Sequence, residues 1–334
     1  MRTAFVKSMI ALAREDERIY LLTGDLGYSV LEEFRDAFKN RFYNVGVAEA
    51  NMAGVAAGLA LSGKIPYIYS IATFVVMRCL EQIRNDICYQ NLNVKIIGVG
   101  AGLSYSLYGA SHQSIDDVGV MRSLPNLVVA CPGDPLETEL VMQESRRHQG
   151  PVYIRLATKG EPVIHTSRPE LPVGRGAVLR EGKDLTLIAT GNMLENAQLA
   201  ARELEAQGLS VRLISMPYVK PLDRDLIRKA VKETGRVVSV EEHCATGGLG
   251  SAIAEVIAEE CPARVVFKRI ALPDKFPPEV GGRAYLREIY GLSVSGIMKT
   301  INEACGIKGD IRIAIARKAA SKSYIIAVNF LLFS

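Results

Sequence analysis

Short runs of aliphatic residues, each followed by a segment of helical periodicity, recur along the first part of the chain. Clear examples occupy residues 19–22, 65–69 and 94–99. Strands with one face in water alternate apolar and polar residues, whereas continuous aliphatic strands are typical of parallel sheets covered by helices on both faces. The pattern therefore predicts an α/β fold with a doubly wound sheet.

The same alternation begins again after residues 161–178, which are rich in proline, glycine and charged side chains. We therefore predict two doubly wound domains, residues 1–160 and 179–308, joined by a linker at 161–178. Residues 309–334 form a basic and then apolar tail that shares no pattern with either domain. We interpret them as a loosely attached tail, for which disorder is one explanation, rather than a membrane anchor.

The composition narrows the class of protein. Residues are 49% hydrophobic and 23% charged, which is typical of soluble globular proteins. The net charge of +4 comes from scattered basic residues, which does not favour nucleic-acid binding. Six cysteines without a C-x-x-C pair indicate reduced thiols. With no signal peptide and no stretch of the roughly 18 apolar residues that a membrane span needs, we expect a cytoplasmic protein.

Residues 44–60, NVGVAEANMAGVAAGLA, contain a single ionisable side chain, Glu49. A carboxyl among small apolar residues at a strand–helix junction would be desolvated, and desolvation favours its protonated form. Such a group could share a proton with a heterocyclic nitrogen near neutral pH. The alternative is a first-turn glutamate that interacts with the helix dipole, and these residues alone leave both interpretations open.

Two further segments place functional side chains after predicted strands. His112, in GASHQ at 109–113, follows a loop that starts at Gly100, at the end of a strand where α/β folds usually bind ligands. The segment YSIATF ends in Phe74, whose ring could stack on a planar ligand, and the predicted helix at 78–88 adds Arg78. A structural loop histidine and an aromatic ring buried in the core are the alternatives.

The segment EEHCATGGLG at 241–250 places glycines between a strand and a helix. Such a junction can bind an anion. Its glycines do not have the G-x-G-x-x-G spacing of a dinucleotide site, so a tight structural turn is favoured.

In this order and spacing, these segments resemble the transketolase family, and especially its split members. The resemblance covers about residues 3 to 308. The matching segments are Gly24-Asp25-Leu26, residues 44–60, 68–74 and 78–84, GASHQ (109–113) before MRSLPN (121–126), GPVYIRL (150–156) and EEHCATGGLGS (241–251).

The resemblance implies a thiamine-diphosphate pyrimidine-binding domain followed by a transketolase C-terminal-like domain. Glu49 would contact N1′ of the aminopyrimidine and promote proton removal from the thiazolium carbon. Phe74 would stack on the pyrimidine, with Asp25 and Arg78 as further cofactor-binding residues. His112 would face the substrate carbonyl and stabilise developing negative charge.

Sugar recognition is expected to differ from that of conventional members. Many of those have an acidic pair before the glycine of this loop, where this chain has Leu107 and Tyr108, and they have a histidine where it has Gly100. The candidate substrate-binding residues are His112, Gln113, Tyr108 and Arg155.

The family binds the diphosphate group through Mg²⁺ with a Gly-Asp-Gly motif on a separate domain, and this chain contains no Gly-Asp-Gly. The resemblance therefore implies a partner, an N-terminal transketolase subunit that holds the magnesium ion. It also implies a homodimer of this chain within an α2β2 assembly, with no metal site of its own.

The implied reaction transfers a two-carbon ketol unit from a ketose, as a sugar or sugar phosphate, to an aldehyde acceptor. One alternative is a thiamine enzyme subunit that uses a 2-oxo acid, such as a deoxyxylulose-phosphate synthase or a dehydrogenase E1 β subunit. GASHQ and the run from Arg78 to Arg84 favour transketolase over E1 β. A non-catalytic subunit is the second alternative, against which Glu49, Phe74 and His112 argue together.

Overall fold

The computed structural model describes residues 1–158 and 160–306, so the predicted tail at 309–334 lies outside the described residues. The helices are α1 Arg2–Glu15, α2 Glu32–Ala37, α3 Glu49–Leu61, α4 Ala72–Met77, α5 Leu80–Gln82, α6 Asp117–Ser123, α7 Pro135–Arg147, α8 Leu194–Ala206, α9 Arg224–Thr234, α10 Leu249–Glu260, α11 Arg283–Ile289 and α12 Val294–Cys305. The strands are β1 Ile19–Thr23, β2 Phe42–Asn44, β3 Ile65–Ile71, β4 Lys95–Val99, β5 Val128–Ala130, β6 Val152–Leu156, β7 Ala177–Arg180, β8 Leu185–Ala189, β9 Val211–Ser215, β10 Tyr218–Lys220, β11 Arg236–Cys244 and β12 Val266–Leu272.

The first sheet contains seven strands in the order β10-β5-β6-β4-β3-β1-β2. All neighbouring strands are parallel except β10 and β5. One face is covered by α1, α2 and α7, and the other by α3, α4 and α6, so that both faces carry a hydrophobic core. This arrangement explains why β3, β4 and β6 are buried on both sides.

The second sheet contains five strands in the order β12-β11-β8-β9-β7, and only β7 and β9 are antiparallel. Helices α8 and α12 pack on one face, and α9 and α10 on the other. Two parallel-dominated sheets with helices on both faces confirm the predicted fold class. None of the helices described is long and apolar enough to cross a lipid bilayer.

Several elements differ from the prediction. Strand β10 follows the predicted linker in sequence but completes the first sheet, where it lies antiparallel to β5. Helix α7 is missing from the predicted elements, although Asp134 accepts a hydrogen bond from the N–H of Glu137 at 2.7 Å and Pro135 occupies the first turn. The helix predicted at 78–88 begins instead with α4 and ends in a π-helical segment, Ile83–Cys88.

Lys95 lies at the start of β4 with its side chain fully buried. Its Nζ donates to the carbonyl oxygens of His148 at 2.9 Å and Gly150 at 2.7 Å. Burial lowers the pKa of this amine from 10.5 to about 7.

The Lys95 amine should make stability depend on pH. The folded state binds this proton less tightly than the unfolded chain, so the protonated amine destabilises the fold most below a pH of about 7. As pH rises from about 7 towards 10.5, the free energy of unfolding of the natural chain should increase relative to that of Lys95→Met. The slope is at most about 1.4 kcal/mol per pH unit. Urea unfolding of both chains measures the difference, and a pH-independent difference would contradict the lowered pKa.

Candidate active site

Strands β1 to β4 and β6 are parallel, so their carboxyl ends share one edge of the first sheet. Glu49 lies at this edge, at the start of α3, and is 2% exposed. Ser70 Oγ donates to its Oε1 at 3.1 Å, and Arg78 Nη1 forms an ion pair with its Oε2 at 2.8 Å. A Cβ at Gly24 would lie 3.3 Å from Glu49 Cγ, so the absence of a side chain at Gly24 leaves room for the carboxylate. The carboxylate is therefore buried and paired with a cation, a pairing that the sequence alone does not predict.

Aromatic and basic groups extend from Glu49 to the loop that carries His112. The Arg78 guanidinium lies over the Phe74 ring, with Cζ 4.0 Å from the ring centroid. The His112 ring meets Phe74 edge-on at a centroid distance of 5.1 Å, and the Tyr108 ring lies 5.2 Å from that of His112. These five side chains form one continuous cluster.

The loop with His112 is closed at its base and docked on α4. Gly102 and Ser114 exchange two backbone hydrogen bonds of 2.9 and 3.0 Å. Thr73 Oγ1 donates to the carbonyl oxygen of Ser111 at 3.2 Å. Ser111 Oγ lies 2.9 Å from Nδ1 of His112, which restricts the orientation of the imidazole.

Asp25 follows β1 at the same edge, with a left-handed φ of 55°. Asn44 Nδ2 and the Tyr28 hydroxyl donate to its Oδ1 at 2.9 and 2.8 Å. Both bonds hold the pKa of Asp25 below its ordinary value, with that from Asn44 the stronger influence. A residue other than glycine with positive φ is held by its surroundings, so Asp25 presents an exposed, ionised carboxylate in a defined orientation.

The other two candidate substrate residues are buried. Gln113 is 1% exposed, and neither amide atom has a hydrogen-bond partner among the residues described. Arg155 is 3% exposed, and its Nε pairs with Asp117 Oδ2 at 2.8 Å. Its Nη2 donates to the carbonyl oxygen of Ser114 at 2.6 Å, at the base of the loop. This placement does not fit the substrate contact expected of Arg155, because its guanidinium is engaged in a buried ion pair.

In the glycine-rich segment after β11, the backbone N–H groups that could bind an anion are occupied by a carboxylate of the same chain. Glu241 accepts hydrogen bonds from the N–H groups of Leu249 and Gly250, both at 2.7 Å, at the start of α10. Burial raises the pKa of Glu241 to about 7. The segment is therefore a structural turn, the interpretation that the sequence favours.

Glu242 is a residue that sequence reasoning missed. Its Oε1 accepts from the N–H of Leu103 at 2.9 Å and from Asn192 Nδ2 at 2.8 Å. Its Oε2 accepts from Arg287. Although burial opposes ionisation, the Arg287 charge holds the pKa of Glu242 below its ordinary value. The sequence signal for Glu242 is its place in a pair of consecutive acidic residues at the end of an aliphatic strand.

Two family models match the chain in the order predicted. The transketolase pyrimidine binding domain matches residues 1–160, and the transketolase C-terminal domain matches residues 174–297.

Named relatives and a solved structure agree with these matches. The 6-deoxy-6-sulfo-D-fructose transketolase subunit of Clostridium sp. is 38% identical over 304 residues, which cover 91% of this chain and 94% of that protein. A 1-deoxy-D-xylulose-5-phosphate synthase of Heliobacterium modesticaldum is 36% identical over 90% of this chain but only 46% of its own length. The structure of a split gene transketolase, an inactive β4 tetramer, is 41% identical with a TM-score of 0.83, and the match covers 92% of this chain and 98% of that one.

Replacing Arg78 should destabilise the chain through Glu49. In Arg78→Gln the buried carboxylate keeps only the hydrogen bond from Ser70, and we expect a loss of about 1–2 kcal/mol because Arg78 is partly exposed. The matched control is Arg84→Gln, since Arg84 is exposed and bonds Asn85. The control should change stability by less than about 0.5 kcal/mol. Guanidinium chloride unfolding of both variants measures the losses, and equal losses would contradict a stabilising ion pair.

Proposed function

The chain belongs to the transketolase family, and on this basis we propose that it is the C-terminal subunit of a split transketolase that uses thiamine diphosphate. The reaction is transfer of a two-carbon ketol unit from a ketose to an aldehyde acceptor. The observation that carries the proposal is the cluster of Glu49, Phe74 and His112 at the carboxyl edge of the first sheet.

The residues present fit an aminopyrimidine. The Arg78 guanidinium is a planar N–C–N group that lies on the Phe74 ring and donates to the Glu49 carboxylate. A pyrimidine ring is planar like the guanidinium, and its ring nitrogen can accept a proton from Glu49, so this space suits the flat ring of the cofactor. Thiamine diphosphate, when bound, supplies the nucleophilic carbon and the electron sink for C–C cleavage.

In this proposal Glu49 holds a proton and returns it at the ring nitrogen. The Ser70 hydroxyl fixes the carboxylate through its Oε1 atom. Phe74 stacks on the pyrimidine, while Arg78 gives up its ion pair and remains beside the ring. Asp25, held by Asn44 and Tyr28, orients the cofactor from the neighbouring strand end.

His112 acts on the substrate. Ser111 engages Nδ1, and Nε2 has no hydrogen bond among the residues described, so this nitrogen is available to substrate oxygens. A donor placed there stabilises the negative charge that develops on a carbonyl oxygen. The Tyr108 ring lies beside His112, and the side chains of Leu107 and Tyr108 are exposed. These two residues replace the acidic pair of conventional members, which suits an unusual ketose, phosphorylated or otherwise anionic.

An exposed apolar face supports the need for partners. Along α3 and beside it, Val47, Val55 and Leu61 are 73%, 40% and 66% exposed. At Gly54 and Gly58 an added Cβ would meet none of the residues described within 4 Å. Large apolar side chains exposed together on one element favour association. We propose that a second copy and an N-terminal subunit, which holds the Mg²⁺ and the diphosphate, cover it in a cytoplasmic α2β2 enzyme.

Use of a 2-oxo acid is the less favoured function. The Clostridium relative, whose length this chain matches, is a transketolase subunit, whereas the deoxyxylulose-phosphate synthase is matched over less than half of its length. Release of carbon dioxide from pyruvate by the reconstituted complex would reverse this preference.

Glu49→Ala should abolish turnover without dissociating the complex. The variant loses the carboxyl group that exchanges a proton with the ring nitrogen, and we expect kcat to fall by roughly 10²- to 10⁴-fold. The control Glu17→Ala removes an exposed carboxylate from the opposite end of β1 and should keep full activity. The assay is ketol transfer by the complex with the N-terminal subunit. Undiminished turnover in Glu49→Ala would exclude the catalytic role.

Val55→Glu should weaken assembly, because it places a charge on the apolar face of α3. Val178→Glu, on edge strand β7, is the matched control, since Val55 and Val178 are 40% and 39% exposed. Sedimentation velocity should show a smaller species for Val55→Glu and no change for Val178→Glu. Identical sedimentation of both variants would show that this face is not an interface.

A further inference from the structure

The C-terminal domain supports the loop that carries His112. Among the residues described, none in 177–306 bonds the side chains of Glu49 or His112 or makes a ring contact with Phe74. Contacts with the loop itself are numerous. The Leu103 side chain is fully buried in the core of the second sheet, and Ser106 Oγ donates to the carbonyl oxygen of Gly281 at 2.6 Å.

The base of the loop rests on Glu242. The Leu103 N–H donates to its Oε1 at 2.9 Å. Gly102, with a φ of 57°, lies so close that an added Cβ would be 2.6 Å from Glu242 Cγ and Oε1. The main-chain oxygen of Glu242 accepts from Arg155 Nη2 at 3.1 Å, and the same nitrogen bonds Ser114 at the other end of the loop. Both ends of the loop are thus tied to one residue of β11.

We propose that Glu242 is a positioning residue for His112, through which the C-terminal domain sets the geometry of catalysis. The inference rests on the proposed transketolase function. The side chain of Glu242 is 0% exposed and that of Arg287 is 7% exposed, so their charges interact with little screening and fix the carboxylate in place. A displacement of about 1 Å in a reacting group can cost 10²-fold in rate, so a rigid base matters for a loop that carries a catalytic histidine.

Glu242→Gln tests, in the isolated chain, whether Glu242 holds the base of the loop that carries His112. A glutamine presents one oxygen and one NH₂ group, so either Leu103 or Arg287 faces a donor instead of an acceptor. The control is Glu241→Gln, equally buried on the same strand but bonded to α10 instead of the loop. Amide hydrogen exchange should accelerate in residues 103–113 of Glu242→Gln, with α3 unchanged, and the control should keep the loop protected. Equal exchange in the loop of both variants would overturn the proposal.

The reconstituted complex provides the functional readout. Glu242→Gln should lower kcat by roughly 10²-fold while the Kd of thiamine diphosphate stays within about twofold, since the Glu49 end of the cluster is untouched. Ser106→Ala, which removes only the bond to Gly281, should act in the same direction more weakly and covers the case in which Glu242→Gln does not fold. An unchanged kcat in a folded Glu242→Gln would overturn the positioning role. Failure of the natural complex to transfer ketol units would refute the proposed function alone and leave the exchange result standing.

Discussion

The buried ion pair of Arg155 and Asp117 connects parts of the chain that are far apart in sequence. Arg155 lies on β6, Asp117 starts α6, and the same guanidinium bonds the base of the active-site loop and the backbone of β11. Neither charge could stay buried without the other at an acceptable cost. Although burial opposes ionisation, the Arg155 charge keeps the pKa of Asp117 below its ordinary value. This ion pair therefore fixes the positions of the loop, the first sheet and the second sheet relative to one another.

Glu241 and Glu242 show how position decides the behaviour of one residue type. Both are 1% exposed at the end of β11. Glu241 meets two backbone N–H groups, and burial raises its pKa to about 7. Glu242 meets a guanidinium, which lowers its pKa against the effect of burial. One carboxylate therefore serves a helix end as a hydrogen-bond acceptor, and the other serves a loop as the partner of a guanidinium.

The sequence predicts the fold class because a parallel strand buried on both faces is a short run of mainly apolar residues. Such runs are visible in the sequence at β3 and β4. It offers Glu49, Phe74 and His112 as candidates, and the structure brings them together because each follows a strand whose carboxyl end reaches the same edge. It does not predict the Arg78–Glu49 pair, since 29 residues and a chain reversal separate the partners. Nor does it predict Glu242, whose partner Leu103 lies 139 residues away, or the three-residue strand β10, which is too short to carry a periodic signal.

Strand β10 also limits how genes for such an enzyme can be divided. Its three residues come from the second half of the chain but form an edge of the first sheet beside β5. A break within residues 161–178 would separate that edge strand from its sheet and Leu103 from the core that surrounds it. Each of the two parts of this chain contributes a segment to the other, β10 in one direction and Leu103 in the other. Recombination therefore has to exchange both parts together.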